Sequence, residues 1–154
     1  MIKALTQEIV MCPQHISALS LEEWAGSQNL NLTLVFTDIV DSTLIGKKLG
    51  DRKWIEDLFT HFSQARALTD FVDCFVVKVI GDSLMMAFRT STDAVDFALG
   101  FLMDTGVEHI GIRIGINSGQ VHIRENDIYG LNVNFTSRVQ HALDVRAFWS
   151  AILS

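Results

Sequence analysis

Apolar positions along this chain follow two rhythms, short runs without alternation and stripes at helical spacing, and the two take turns. Leu34, Val35 and Phe36 are consecutive and β-branched or aromatic, which predicts a strand buried on both faces. Asp38 falls at its exit, where side chains reach solvent. Asp41, Ser42 and Thr43 then suit the start of a helix through Leu44, Ile45 and Leu49. Gly50-Asp51 breaks that pattern and opens a longer helix. Ile55, Leu58, Phe59, Phe62 and Ala65 lie on one core-facing stripe, which puts His61 on the polar side.

Phe75 to Ile80 and Ser83 to Phe88 flank Gly81-Asp82 and predict a β-hairpin with Asp82 at its tip, where Met85 and Met86 are packing residues. A helix follows from about Ser91, with Ala94, Phe97, Ala98, Phe101 and Leu102 at core spacing, ending near Gly106. Ile110 to Ile116, the turn Asn117-Ser118-Gly119 and Gln120 to Arg124 predict a second hairpin. Asn126 to Gly130 is expected to be a loop, Leu131 to about Leu143 a helix, and Arg146 to Leu153 the start of another strand. Residues 1–30 hold the single proline, Pro13, and the polar stretch Gly26 to Asn29, so they are expected to be a loose or packed-on lead-in to a domain of residues 31–154. The order β-α-β-β-α-β-β-α-β predicts an α+β fold with a mostly antiparallel sheet covered by helices.

Bulk properties narrow the partners. A chain of 154 residues suffices for one domain that buries about 70% of its unfolded surface. The net charge of −6, with no basic run, argues against nucleic acid or an anionic membrane. A nucleotide stays compatible, because a metal ion can offset the repulsion. Cys12 and Cys74 form no close pair and have no zinc-like spacing, which fits a reducing cytosol. No apolar stretch approaches the roughly 20 residues of a membrane span. Met1 to Met11 is broken by Gln7 and Glu8 and does not read as a signal peptide.

Chemistry gathers around Asp38. A helix start over Val40, Asp41, Ser42 and Thr43 offers backbone N–H groups to an anion such as phosphate, beside a carboxylate. That adjacency calls for a cation, and an oxygen ligand suits Mg²⁺ or Mn²⁺. An Asp that merely caps a strand end is the plainer alternative. Asp82, at a hairpin tip in the same sheet, can share a metal pair with Asp38, the usual clamp for in-line attack at phosphorus. A phosphatase with a nucleophilic Asp wants a second Asp two residues on, where this chain has Val40. Asn134 and Arg138 share one helix face, either to bond a sugar oxygen and a phosphate or simply as a solvated surface. Lys78, inside an apolar strand, must reach solvent or a polar partner, and Asp127 can be that partner or can bond a ligand.

Three stretches together resemble the class III nucleotidyl cyclase catalytic domain over about residues 31–153. They are Phe36 to Thr43, Lys78 to Phe88, and Asp127-Ile128-Tyr129-Gly130 with Val133-Asn134 and Ser137-Arg138. The resemblance implies a ferredoxin-like, palm-type β-α-β-β-α-β core. It implies that Asp38 and Asp82 hold two Mg²⁺ or Mn²⁺ ions with the Ile39 carbonyl as a further ligand. It further implies that Lys78 and Asp127 read the base, that Asn134 orients the ribose, and that Arg138 stabilises charge at the α-phosphate. In this family the site forms across a two-fold homodimer, and a nucleoside triphosphate becomes a 3′,5′-cyclic nucleotide and pyrophosphate.

Lys78 with Asp127 looks like the family's adenine-reading pair, since guanylate cyclases commonly carry Glu and Cys there. Relatives that make cyclic UMP or cyclic CMP in antiphage defence share the metal and transition-state residues, so a pyrimidine product is an alternative. Two departures stand out: Cys74 replaces a Gly common in relatives, and the family domain usually continues past the equivalent of Leu153. The resemblance therefore implies a domain short at its C-terminal end, which raises a second alternative, a silent cyclase-like domain that binds nucleotide or dimerises. A cyclic dinucleotide synthase would need a Gly-Gly-(Asp/Glu)-Glu-Phe hairpin, and the tip here reads Ile80-Gly81-Asp82-Ser83.

Overall fold

The structure is a computed structural model that describes residues 19–142, with side chains as far as Arg138. Its elements are α1 (Leu21–Ala25), β1 (Asn29–Ile39), α2 (Ser42–Leu49), α3 (Asp51–Thr69), β2 (Cys74–Ile80), β3 (Ser83–Phe88), α4 (Ser91–Met103), β4 (Ile112–Arg124), β5 (Asp127–Tyr129) and α5 (Leu131–Ala142). The strands form one antiparallel sheet in the order β2-β3-β1-β4-β5. β1 is central and buried on both faces, as its unalternated run requires. The strand expected over Arg146 to Leu153, and Pro13, lie outside the described residues.

One face of the sheet packs on α3 and α4. Val35, Ile39, Met86, Phe88 and Ile112 meet Phe62, Ala65, Phe97 and Phe101 there. Ile55 and Phe59 of the expected stripe are only half-buried, and Leu102 is exposed. His61 is a correction: it is wholly buried, stacked on Phe101 at 4.6 Å, with Nδ1 2.7 Å from the Thr105 carbonyl oxygen. An imidazole with one N–H satisfied by a carbonyl can join a core, which residue type alone does not reveal. Burial pushes its pKa below the usual histidine value, against smaller upward pulls from the Thr105 carbonyl and the Asp82 charge.

The opposite face collects Leu32, Leu34, Met85, Ala87, Val121, Ile123 and Ile128 under Leu21 and Trp24 of α1, with Val133 of α5 beside them. α1 is therefore packed on, and β1 starts at Asn29, within the expected lead-in. Ser20 and Glu23 form a capping box at its start, and Gly26 ends it at φ 75°. Trp24 Nε1 donates to Asp73, and Arg89 lies over the indole ring while pairing with Asp73 at 2.6 Å.

The expected second hairpin is also a correction. Asn117-Ser118-Gly119 does not turn; β4 runs straight through it, paired with β1 from Asn29↔His122 to Ile39↔Ile112. Local turn residues yield here to a long partner strand, and Thr33 and Ser118 share a 2.7 Å hydrogen bond across the pair. The reversal comes at Glu125-Asn126, both at positive φ, so residues 127–129 of the expected loop are β5. The observed order thus has two helices after β1 and one long strand in place of a central hairpin.

A β-bulge falls between Val76 and Lys78. Val76 pairs with Met86, on the α3/α4 face, whereas Lys78 pairs with Met85, on the other. The extra residue, Val77, thus turns Lys78 out of the helix-covered layer.

Candidate active site

Asp38 follows Phe36 by two residues and so shares the face that carries Met85 and Lys78. Arg113 is its direct partner on β4. The guanidinium Nη2 donates to Asp38 Oδ2 at 2.8 Å and Oδ1 at 3.1 Å, and Nε donates to Oδ1 at 3.2 Å. Arg113 belongs to none of the three stretches that carry the resemblance. Its signal was a charged residue between Ile112 and Ile114 in an apolar strand, the same signal that drew attention to Lys78.

Asp38 and Arg113 open onto a cleft of about 390 Å³, also lined by Ile39, Asp82 and the turn from Asp41 to Leu44. Gly81, at φ 63°, makes the tight hairpin turn, and Asp82 Oδ2 accepts from the Ile39 amide at 3.3 Å. That bond ties the β2–β3 tip to the end of β1. The two carboxylates, far apart in sequence, therefore border one space. Three carboxylates, Asp38, Asp41 and Asp82, face one guanidinium, so the cleft favours a cation before any polyphosphate.

The helix start needs two corrections. Asp41 sits at the N-cap of α2 with φ 55° and makes no side-chain cap, so the first-turn N–H groups keep no side-chain acceptor. Val40 offers no free amide, because its N–H donates to the Gly111 carbonyl at 2.9 Å. The part of the helix start that lines the cleft is Asp41, Ser42, Thr43 and Leu44, whose backbone could meet an anion there.

Lys78 and Asp127 form an ion pair, Nζ to Oδ2 at 2.7 Å and to Oδ1 at 3.0 Å. They belong to β2 and β5, the two outer strands. A flat sheet would separate these by about 19 Å, four strand spacings, which is more than the two side chains span. The sheet must curl over its second face. Both partners are part-exposed, so the pair contributes no more than about 1 kcal/mol to stability and remains available to a ligand. Asn134 and Arg138 are exposed on α5, and neither they nor the Lys78–Asp127 pair line the Asp38 cleft.

Among the described residues no group of three or more His, Cys, Asp or Glu side chains gathers as a metal site. The donors at the cleft are instead Asp38, Asp82 and the backbone of Ile39, an all-oxygen set. That set fits Mg²⁺ or Mn²⁺, which take few protein ligands and complete their shells with water and phosphate. Asp82 makes one weak backbone bond, and Arg113 neutralises Asp38.

Comparison with known proteins agrees with this architecture. Residues 26–145 match the adenylate and guanylate cyclase catalytic domain, and the chain belongs to that family. A receptor-type adenylate cyclase of Trypanosoma brucei brucei is 38% identical over 68 residues, covering 44% of this chain and 12% of that protein. An adenylate cyclase of Streptomyces griseus is 27% identical over 106 residues, 68% of this chain and 27% of its own length. The chain thus spans well under half the length of these curated relatives. The catalytic core of a rhodopsin-guanylyl cyclase with converted specificity, solved with ATPαS, superposes with a TM-score of 0.67 at 26% identity, over 73% of this chain and 72% of that one. The fold is the palm-type α+β architecture of class III cyclases. Among the described residues no helix is long and apolar enough to cross a membrane.

Proposed function

We propose that this domain is a nucleotidyl cyclase that converts a nucleoside triphosphate, ATP in preference, to a 3′,5′-cyclic nucleotide and pyrophosphate. The observation that carries this reading is the meeting of Asp38, Asp82 and Ile39 in one cleft beside the uncapped start of α2. Family membership supports the same chemistry.

In the reaction the ribose 3′-hydroxyl gives up its proton to solvent water as its oxygen bonds to the α-phosphorus. The bond from that phosphorus to the bridging oxygen breaks, and its electron pair leaves with pyrophosphate. Asp38, Asp82 and the Ile39 carbonyl would hold two Mg²⁺ or Mn²⁺ ions. When bound, these supply a lowered pKa for the 3′-hydroxyl and neutralisation of the leaving group. The first-turn N–H groups of α2 bind phosphate oxygens. Asn134 holds the ribose, and Arg138 spreads its guanidinium over the charge that develops at the α-phosphate. Lys78 and Asp127 part to give adenine one donor and one acceptor.

The separation of these four residues from the cleft favours a site shared by two copies of the chain, with metal ligands from one and base, ribose and transition-state residues from the other. A lone copy would be inactive. A buried thiol at Cys74 accords with a cytosolic protein.

The test is incubation at high protein concentration with Mn²⁺ and equal amounts of ATP, GTP, UTP and CTP, followed by mass spectrometry. Cyclic AMP as the main product, absent with Asp38→Ala, is the expected result. A cyclic pyrimidine would overturn the base assignment. No product from any of the four would favour a silent nucleotide-binding or dimerising domain.

A further inference from the structure

Asn132, the second residue of α5, is bonded in a way that the cyclase motifs do not use. Its Oδ1 accepts from Asn117 Nδ2 at 3.1 Å, and its Nδ2 donates to the Gln120 carbonyl at 2.9 Å. Both partners lie on β4, on either side of Gly119. The amide carries an acceptor at one end and donors at the other, so only one orientation satisfies both bonds. Gly119 makes the approach possible: a Cβ there would lie 2.3 Å from Asn132 Nδ2, far inside contact distance. The Asn132 carbonyl in turn accepts from Thr136 Oγ1 at 2.6 Å, one turn further along α5.

At about 100° per residue, Asn134 and Arg138 lie roughly 200° and 240° around the helix from Asn132. Asn132 therefore grips β4 from the side of α5 opposite the two exposed residues. Val133 packs into the core beside it, an apolar contact that can slide, whereas two directional hydrogen bonds resist rotation. We propose that Asn132 is a positioning residue, whose clamp on Asn117 and the Gln120 carbonyl across Gly119 sets the rotation of α5 and so the presentation of Asn134 and Arg138 to the substrate. This rests on the cyclase reading for its catalytic consequence. The clamp itself does not.

The test compares the full chain with Asn132→Ala and Asn117→Ala by steady-state kinetics, thermal unfolding and amide hydrogen exchange. A misplacement of about 1 Å can cost about 100-fold in rate, so Asn132→Ala should lower kcat by about 10- to 100-fold with KM within about threefold. Asn117→Ala, which keeps the bond to the Gln120 carbonyl, should fall between it and the parent. Amides of residues 133–138 should exchange faster in Asn132→Ala while those of β1 and β3 do not. Unchanged exchange in that segment, or a kcat loss that merely follows a lowered Tm, overturns the proposal. If Asn132→Ala does not fold, Asn117→Ala decides by the same two readings. A parent chain without activity on any nucleotide refutes the cyclase reading, and the exchange comparison still decides whether the clamp exists.

Discussion

Arg113 and Asp38 are directly opposed on β4 and β1, and one guanidinium touches both oxygens of the carboxylate. A cation approaching Asp38 must compete with that grip. Arg113→Ala should therefore tighten Mn²⁺ binding by about 2- to 5-fold, the size expected of a part-exposed charge pair. Isothermal titration with Mn²⁺ alone measures it. Unchanged or weaker binding would mean that Arg113 is not a competitor for the site.

Arg138 is exposed and on the proposed reading acts on charge present only in the transition state. Arg138→Ala should lower kcat by about 100-fold while KM moves less than about threefold. A change confined to KM would assign Arg138 to ground-state binding instead.

On the proposed reading, Lys78 and Asp127 read the base. Asp127→Asn keeps the shape but replaces a charged acceptor, and should cut the ATP-over-GTP ratio of kcat/KM by about tenfold. Competition assays with both nucleotides give the ratio directly. Were it unchanged, the base would be read elsewhere.

His61 predicts the acid limit of stability. Folding lowers its pKa below the ordinary 6.5, so the unfolded chain binds a proton that the native core refuses. This contribution is fully present well above pH 6.5. It is lost as pH falls through 6.5 towards the folded value, at no more than about 1.4 kcal/mol per pH unit. His61→Phe should flatten this part of the urea-midpoint profile between pH 5 and 8, at a uniform cost of about 1–3 kcal/mol for the orphaned Thr105 carbonyl. A variant profile parallel to the parent would place the sensitive group elsewhere.

The features legible in the sequence are those that local chemistry decides. The unalternated run of β1, the Gly81-Asp82 turn and the stripe of α4 each carry their signal within a few residues, so Asp38 and Asp82 could be set at the ends of strands. The course of β4 could not be read this way, because Asn117-Ser118-Gly119 has every local mark of a turn and is straightened only by its pairing with β1. His61 needed knowledge of Phe101 and Thr105, and Arg113 needed the register that sets it against Asp38. Both are tertiary facts. The Lys78–Asp127 pair was foreseen because a lysine in an apolar strand advertises its own need for a partner.

The bulge at Val77 makes the parity of β2 matter more than its length. Pairing Val77 itself with Met85 would give an unbroken ladder, yet it would mirror the end of the strand, sending Lys78 towards the helices and Val79 towards the opposite face. The better-paired sheet would then lose the Lys78–Asp127 pair. Any realignment or redesign of this domain must treat the irregularity at Val77 as a fixed point rather than a defect to be smoothed.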